Sequence, residues 1–155
     1  MRSFHSHATL NKIPLTPWVL GTVAKMNRAR TTDRRDWNRF WSQTYQELGG
    51  QSDESGAKGC PRAAGYGLWL LGRLARGGRP LQKWPVHRVD NELGKNVAYS
   101  VIAADLLACR ADPSPQRLWP AVQAQYIQHT RRNPAATEQG GVKVAVILFA
   151  EQQIV

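Results

Sequence analysis

Cysteine is almost absent from this chain. Cys60 and Cys109 stand alone, outside any Cys-x-x-Cys or Cys/His metal spacing, which excludes a disulfide framework and gives no basis for a structural zinc. A reduced, cytoplasmic protein with no metal and no cofactor is the expectation. Long apolar runs are missing as well. The longest, Val142 to Ala150, contains Lys143 and is about half of the ~18 residues that would span a bilayer. The first residues are broken by Arg2, His5, His7, Asn11 and Lys12, where a signal peptide would need a continuous apolar core. Acidic residues are the third scarcity. There are 11 Asp and Glu against 21 Lys and Arg, a net charge of +10, so a mimic of nucleic acid is excluded and attraction to polyanions is expected.

Chemistry-bearing motifs are equally few. No GxxxxGK[ST] or GxGxxG phosphate loop occurs, and the glycine pairs at 49–50, 77–78 and 140–141 read as caps and turns. Asp33 and Asp36 lie beside Arg34 and Arg35 at a helix start, where carboxylates favour the macrodipole. No helix-turn-helix, zinc-finger, RRM, KH or OB signature is visible, so base-sequence readout has no positive support.

What is present suffices for one folded domain, with 155 residues of which 42% are hydrophobic. Residues 1–15 read as a flexible basic arm, and 16–155 as a single helical domain. Thr16 as N-cap and Pro17 at the first helical position open a helix to about Arg28. A second, from about Asp33 to Leu48, stacks Trp37, Phe40, Trp41, Tyr45 and Leu48 on one face before Gly49 and Gly50. Pro61 opens a third to about Arg76, in which Gly65, Gly67 and Gly72 leave room for another backbone to approach. Arg79 to Asp90, with Pro80 and Pro85, reads as a basic linker. A fourth helix covers about Asn91 to Cys109, and Ser114 with Pro115 starts a fifth. Thr137 to Gln153 fits helix or strand, because residues 142–149 are rich in β-branched side chains.

An internal echo favours helix for that last segment. Arg39-Phe40-Trp41 recurs as Arg117-Leu118-Trp119, and Leu68-Trp69 with Leu74 recurs as Leu148-Phe149 with Ile154. The expected fold is all-α, a five- to six-helix bundle. Two pseudo-repeated three-helix units, about 16–78 and 91–155, are one reading of the echo; chance likeness between amphipathic helices is the other.

Three stretches resemble a family of small bacterial proteins of unknown function. They are Lys58-Gly59-Cys60-Pro61-Arg62-Ala63-Ala64 with Gly67-Leu68, then Asn96-Val97-Ala98-Tyr99, and the final Gln139 to Leu148. The resemblance covers about residues 35–155, with Lys-Gly-Cys-Pro its most specific part. It implies an all-helical fold and supplies no activity. Lys143 stands where an acidic residue is usual in the family. By analogy, short basic proteins of this kind are common in mobile gene cassettes.

Three functional readings follow. Up to residue 90 the chain holds 15 Lys and Arg against 6 Asp and Glu, and beyond it 6 against 5. A non-catalytic binding protein would therefore contact a polyanion, most plausibly nucleic acid, through its basic N-terminal half. Arg34, Arg35, Arg73, Arg76, Arg79, Lys83 and Arg88 are the candidate phosphate contacts, with Trp84 able to stack on an unpaired base. Alternatively Cys60, at a helix N-terminus between Lys58 and Arg62, is an activated nucleophile, with His5, His7, His87 and His129 as candidate bases, while Cys109 is structural. The third reading is a protein-interaction module or homo-oligomer presenting an exposed tryptophan side; Trp37 and Trp41 themselves read as core.

Overall fold

The computed structural model describes residues 9–51, 59–137 and 140–155. Those residues contain seven helices and one short hairpin. The first eight residues of the expected arm lie outside them. From Thr9 the chain is already folded: strands β1 (Thr9–Leu10) and β2 (Ile13–Pro14) pair antiparallel. Asn11 and Lys12 between them both take positive φ, 54° and 67°, the pair of left-handed residues that a two-residue hairpin turn requires. Leu10 and Ile13 are buried, so two apolar side chains anchor a stretch whose polarity reads as loose.

Helix α1 (Leu15–Ala29) buries Leu15, Trp18, Val19, Thr22, Val23 and Met26, the spacing of one helical stripe. It begins a residue before the expected cap. Pro17 still falls in the first turn, where no N–H partner is lost. The Thr16 hydroxyl donates to the Glu151 carboxylate at the far end of the chain. Helix α2 (Arg34–Glu47) starts where expected, and Asp33 caps it: its carboxylate accepts from the Arg35 N–H at 2.7 Å. Its Trp41 stacks on Trp18 with ring centroids 4.2 Å apart, and the Trp18 indole donates to the Trp41 carbonyl at 2.9 Å.

Helix α3 (Gly59–Leu70) ends well before Arg76. Gly72 sits at φ +73°, and a Cβ there would lie 2.2 Å from the Pro80 carbonyl oxygen; the chain turns because another backbone occupies that space. Within α3, a Cβ on Gly67 would meet Val97 at 2.1 Å, so this glycine sets the close approach of the next long helix. The expected linker folds in part. Helix α4 (Val86–Leu93) is separated by Gly94, at φ +102°, from α5 (Lys95–Ala108), which is why the described residues hold seven helices where five or six were expected.

Helix α5 is buried on nearly every side from Val97 to Ala104 and packs against α3, α4, α6 (Pro115–Thr130) and α7 (Gly141–Ala150). Pro115 opens α6, but Ser114 caps nothing with its hydroxyl, and Pro120 falls beyond the first turn. The ambiguous final segment is helical. Val142, Val144, Ala145, Ile147 and Leu148 are buried, and a helix enclosed on most of its surface shows no polar face to reveal its period.

The helix ends recur along the chain. Arg30 and Arg110 take φ of 54° and 66°, and the N–H that follows each bonds five residues back, Thr31 to Met26 and Ala111 to Leu106. Likewise Gly72 and Gln152 take φ of 73° and 60°, with Arg73 N–H to Leu68 and Gln153 N–H to Leu148, each at 2.8 Å. Leu74 and Ile154 then face one another in an antiparallel bridge, made by the Ala75 N–H to Gln153 and the Val155 N–H to Arg73. The Arg-x-Trp echo is less regular. Trp41 is the eighth residue of α2 and Trp119 the fifth of α6, about one turn apart.

Candidate nucleic-acid interface

Arg62 and Tyr66 lie one turn apart on α3, with Trp69 one turn further, so they share a face. Two arginines from other elements cover that face. The Arg34 guanidinium lies 5.4 Å from the Tyr66 ring centre and donates to the Leu93 carbonyl at 3.2 Å. That of Arg79 lies 5.3 Å from the Trp69 ring centre and donates to the Leu70 carbonyl at 3.0 Å. Each therefore caps the C-terminal residue of a helix, where the macrodipole favours positive charge. The rings beneath are fixed: Tyr66 O–H donates to the Thr32 carbonyl at 2.6 Å, and the Trp69 indole donates to Gly77 at 3.0 Å.

The electrostatics of this face are one-sided. Burial and the neighbouring charge of Arg34 both press the Arg62 pKa below the usual arginine value. Burial raises the Tyr66 phenol and Asp33 adds to this, while Arg34 and Arg79 act against it. Among the described residues no carboxylate lies within ion-pair distance of Arg34, Arg62 or Arg79. Each guanidinium carries five N–H donors, so three positive groups retain donors for an external anion.

The other candidate residues divide. Arg35 is exposed, its nearest acid being Asp33 at 3.8 Å; Arg76 and Lys83 are exposed too. Arg73 turns inward. Its side chain is only 12% exposed and bridges Asp105 at 2.8 Å to the Val155 carbonyl at 3.1 Å. Arg88 pairs with Glu92 at 2.8 Å and lies over the Trp84 ring, 3.7 Å from its centre. Trp84 is half-buried beside an open cleft of about 430 Å³ that Arg73 and Lys83 also line. The other five tryptophans are buried, so there is no exposed tryptophan side of the kind the interaction-module reading needs.

Cys60, the second residue of α3, is half-buried with no hydrogen-bond or ion-pair partner among the described residues. His87 and His129 are exposed; Lys58, His5 and His7 lie outside the described residues. Cys109 is exposed, contrary to its expected structural place, because the buried stripe of α5 ends at Leu107 and Cys109 is already the C-cap. Asp36 accepts from the Thr31 hydroxyl and from Arg39, which hold its carboxyl below the usual range. No group of metal-ligating side chains forms among the described residues, and no helix there is long and apolar enough to cross a membrane.

One polar cluster escaped the sequence reading. Asp90 is buried and accepts from the Tyr126 hydroxyl at 2.8 Å and from Arg132 at 3.1 Å. Tyr99, packed edge-on against Tyr126, accepts the Ala135 N–H at 2.8 Å. An Asp at the end of a basic stretch carries no local signal of such a role. No family model matches the chain, and neither curated proteins nor solved structures include a significant match to it.

Proposed function

We propose that this is a non-catalytic nucleic-acid-binding protein of the cytoplasm, gripping phosphates through its basic N-terminal half. The observation that carries the reading is the set of Arg34 and Arg79, each held by a helix-end carbonyl and an aromatic ring, with Arg62 beside Arg34, and no carboxylate among the described residues paired to any of the three. Guanidinium groups oriented in advance lose less freedom on meeting a phosphate. Arg35, Arg76 and Lys83 are exposed and add positive charge to the same half of the chain, whereas Arg73 and Arg88 are paired with Asp105 and Glu92. Phosphate contacts carry no base sequence, which suits a chain without a readout motif.

Labelled DNA and RNA titrated over a salt series test this. Affinity falls linearly on a log–log plot with a slope of about −0.7 to −0.9 per phosphate contacted. Replacing Arg34, Arg62 and Arg79 by Gln makes that slope shallower by about two to three units. An absence of binding at low salt, or binding indifferent to salt, overturns the proposal.

The same reading takes the chain as two copies of a three-helix unit, about 16–78 and 91–155, joined by residues 79–90. Its support is the recurrence, 80 residues apart, of the left-handed residues Arg30 and Arg110, and Gly72 and Gln152, with their five-residue backbone bonds.

A further inference from the structure

The geometry points to the cleft beside Trp84 as the seat of an unpaired nucleobase, so that the protein takes single strands in preference to duplex; this rests on the nucleic-acid reading above. The cleft, about 430 Å³, has an apolar lining that includes Leu71, Leu81, Val86 and Val101. Leu81 is 49% exposed at its edge, an apolar group at the mouth of a basic surface. The Trp84 ring is held in place: Arg88 lies 3.7 Å from its centre and is tied in turn to Glu92. A fixed aromatic ring stacks on any base, and such stacking tolerates sequence.

The cleft wall is built before any ligand arrives. Gln82 N–H donates to the Leu71 carbonyl at 2.8 Å, and the Pro80 carbonyl fills the space that a side chain at residue 72 would need. Residues 80–82 are thereby pinned against the end of α3. Charge at the cleft favours a nucleotide. Asp105, the acid in its wall, is neutralised by Arg73 at 2.8 Å, and Lys83 stands exposed beside Trp84. Arg79 is five residues before Trp84, at most about 18 Å of extended chain. One short strand can therefore reach both the phosphate grip and the cleft. In a duplex every base is paired and stacked inside, and none is free to enter.

The test is fluorescence anisotropy of one labelled oligonucleotide, presented as a single strand and as a blunt-ended duplex with its complement, with Trp84→Ala, Trp84→Phe and Leu81→Ser. The wild-type chain binds the single strand roughly tenfold more tightly than the duplex. Trp84→Ala loses about that factor for the single strand alone, Trp84→Phe retains it, and Leu81→Ser weakens the single strand selectively. Because Leu81 is half exposed, its variant remains informative if the Trp84→Ala chain fails to fold. Equal affinity for both forms, with variants acting on both alike, overturns the cleft and leaves the salt-dependent grip standing. Absence of binding to either form overturns both.

Discussion

Around residues 62–79 the guanidinium groups of Arg34 and Arg79 lie over aromatic rings and Arg62 feels the charge of Arg34, with no carboxylate among the described residues in ion-pair distance of the three. Around residues 90–135, a carboxylate, two phenols and an arginine close on one another. Both regions stand on the same kind of frame, helices ended by left-handed residues and five-residue backbone bonds, over a core of large aromatic side chains. The contrast separates two layers of design. Caps and apolar stripes set where the helices stop and pack; the polar groups laid over them differ freely between the regions. One arrangement satisfies itself, and the other keeps an excess of donors with no acid among the described residues to take them.

The largest effect that would break the contrast is removal of the platform under the arginines. Trp37 is fully buried, lies 5.7 Å from Trp69, meets Tyr66 edge-on and donates to the Arg62 carbonyl at 2.9 Å. Trp37→Ala should cost about 3–5 kcal/mol in a denaturant titration and loosen the guanidinium set with it. A loss below about 1 kcal/mol would mean that the aromatic rings do not organise this face.

The closed cluster responds to pH. Burial, and then the hydrogen bond to the Asp90 carboxylate, raise the Tyr126 phenol above its ordinary value of 10.0. The folded state thus holds this proton more tightly than the unfolded chain does. Stability from the group is fully present below pH 10 and is lost as pH rises past it, because the unfolded phenol ionises first. Alkaline denaturation should therefore be less steep in Tyr126→Phe. An unchanged slope would mean that the Tyr126 phenol is not raised in the folded state. Tyr99 and Tyr66, both raised by burial, leave a residual slope in either chain.

Most helix positions were legible because amphipathic period and caps are local properties. The start of α2 near Asp33, and Trp37 with Trp41 on one face, needed only spacing. The end of α3 was not legible, because Gly72 turns the chain only where the Pro80 carbonyl comes within reach, a contact between segments. The same limit explains the charges. Composition identified a basic half, yet it could not tell Arg73, turned inward to Asp105, from Arg79, which meets no acid among the described residues. Arg62 stood in the basic run unchosen, because its place beside Arg34 depends on how α2 meets α3. Asp90 was hidden for a like reason: both its partners come from beyond residue 120.

The smallest effect is the most discriminating. If Arg62 served the fold, replacing it would remove a favourable contact and lower stability. Its surroundings argue the reverse, since both burial and the neighbouring Arg34 charge disfavour its own positive charge, and no acid among the described residues offsets them. Arg62→Gln should therefore change unfolding stability by less than about 0.5 kcal/mol, with a stabilising sign, while weakening nucleic-acid binding and making its salt dependence shallower. Arg132→Gln provides the opposed control, because Arg132 donates to the buried Asp90 carboxylate, and its loss lowers stability without changing binding. Equal destabilisation by the two substitutions would make Arg62 another internal partner, and the division between a closed region and an open one would fail.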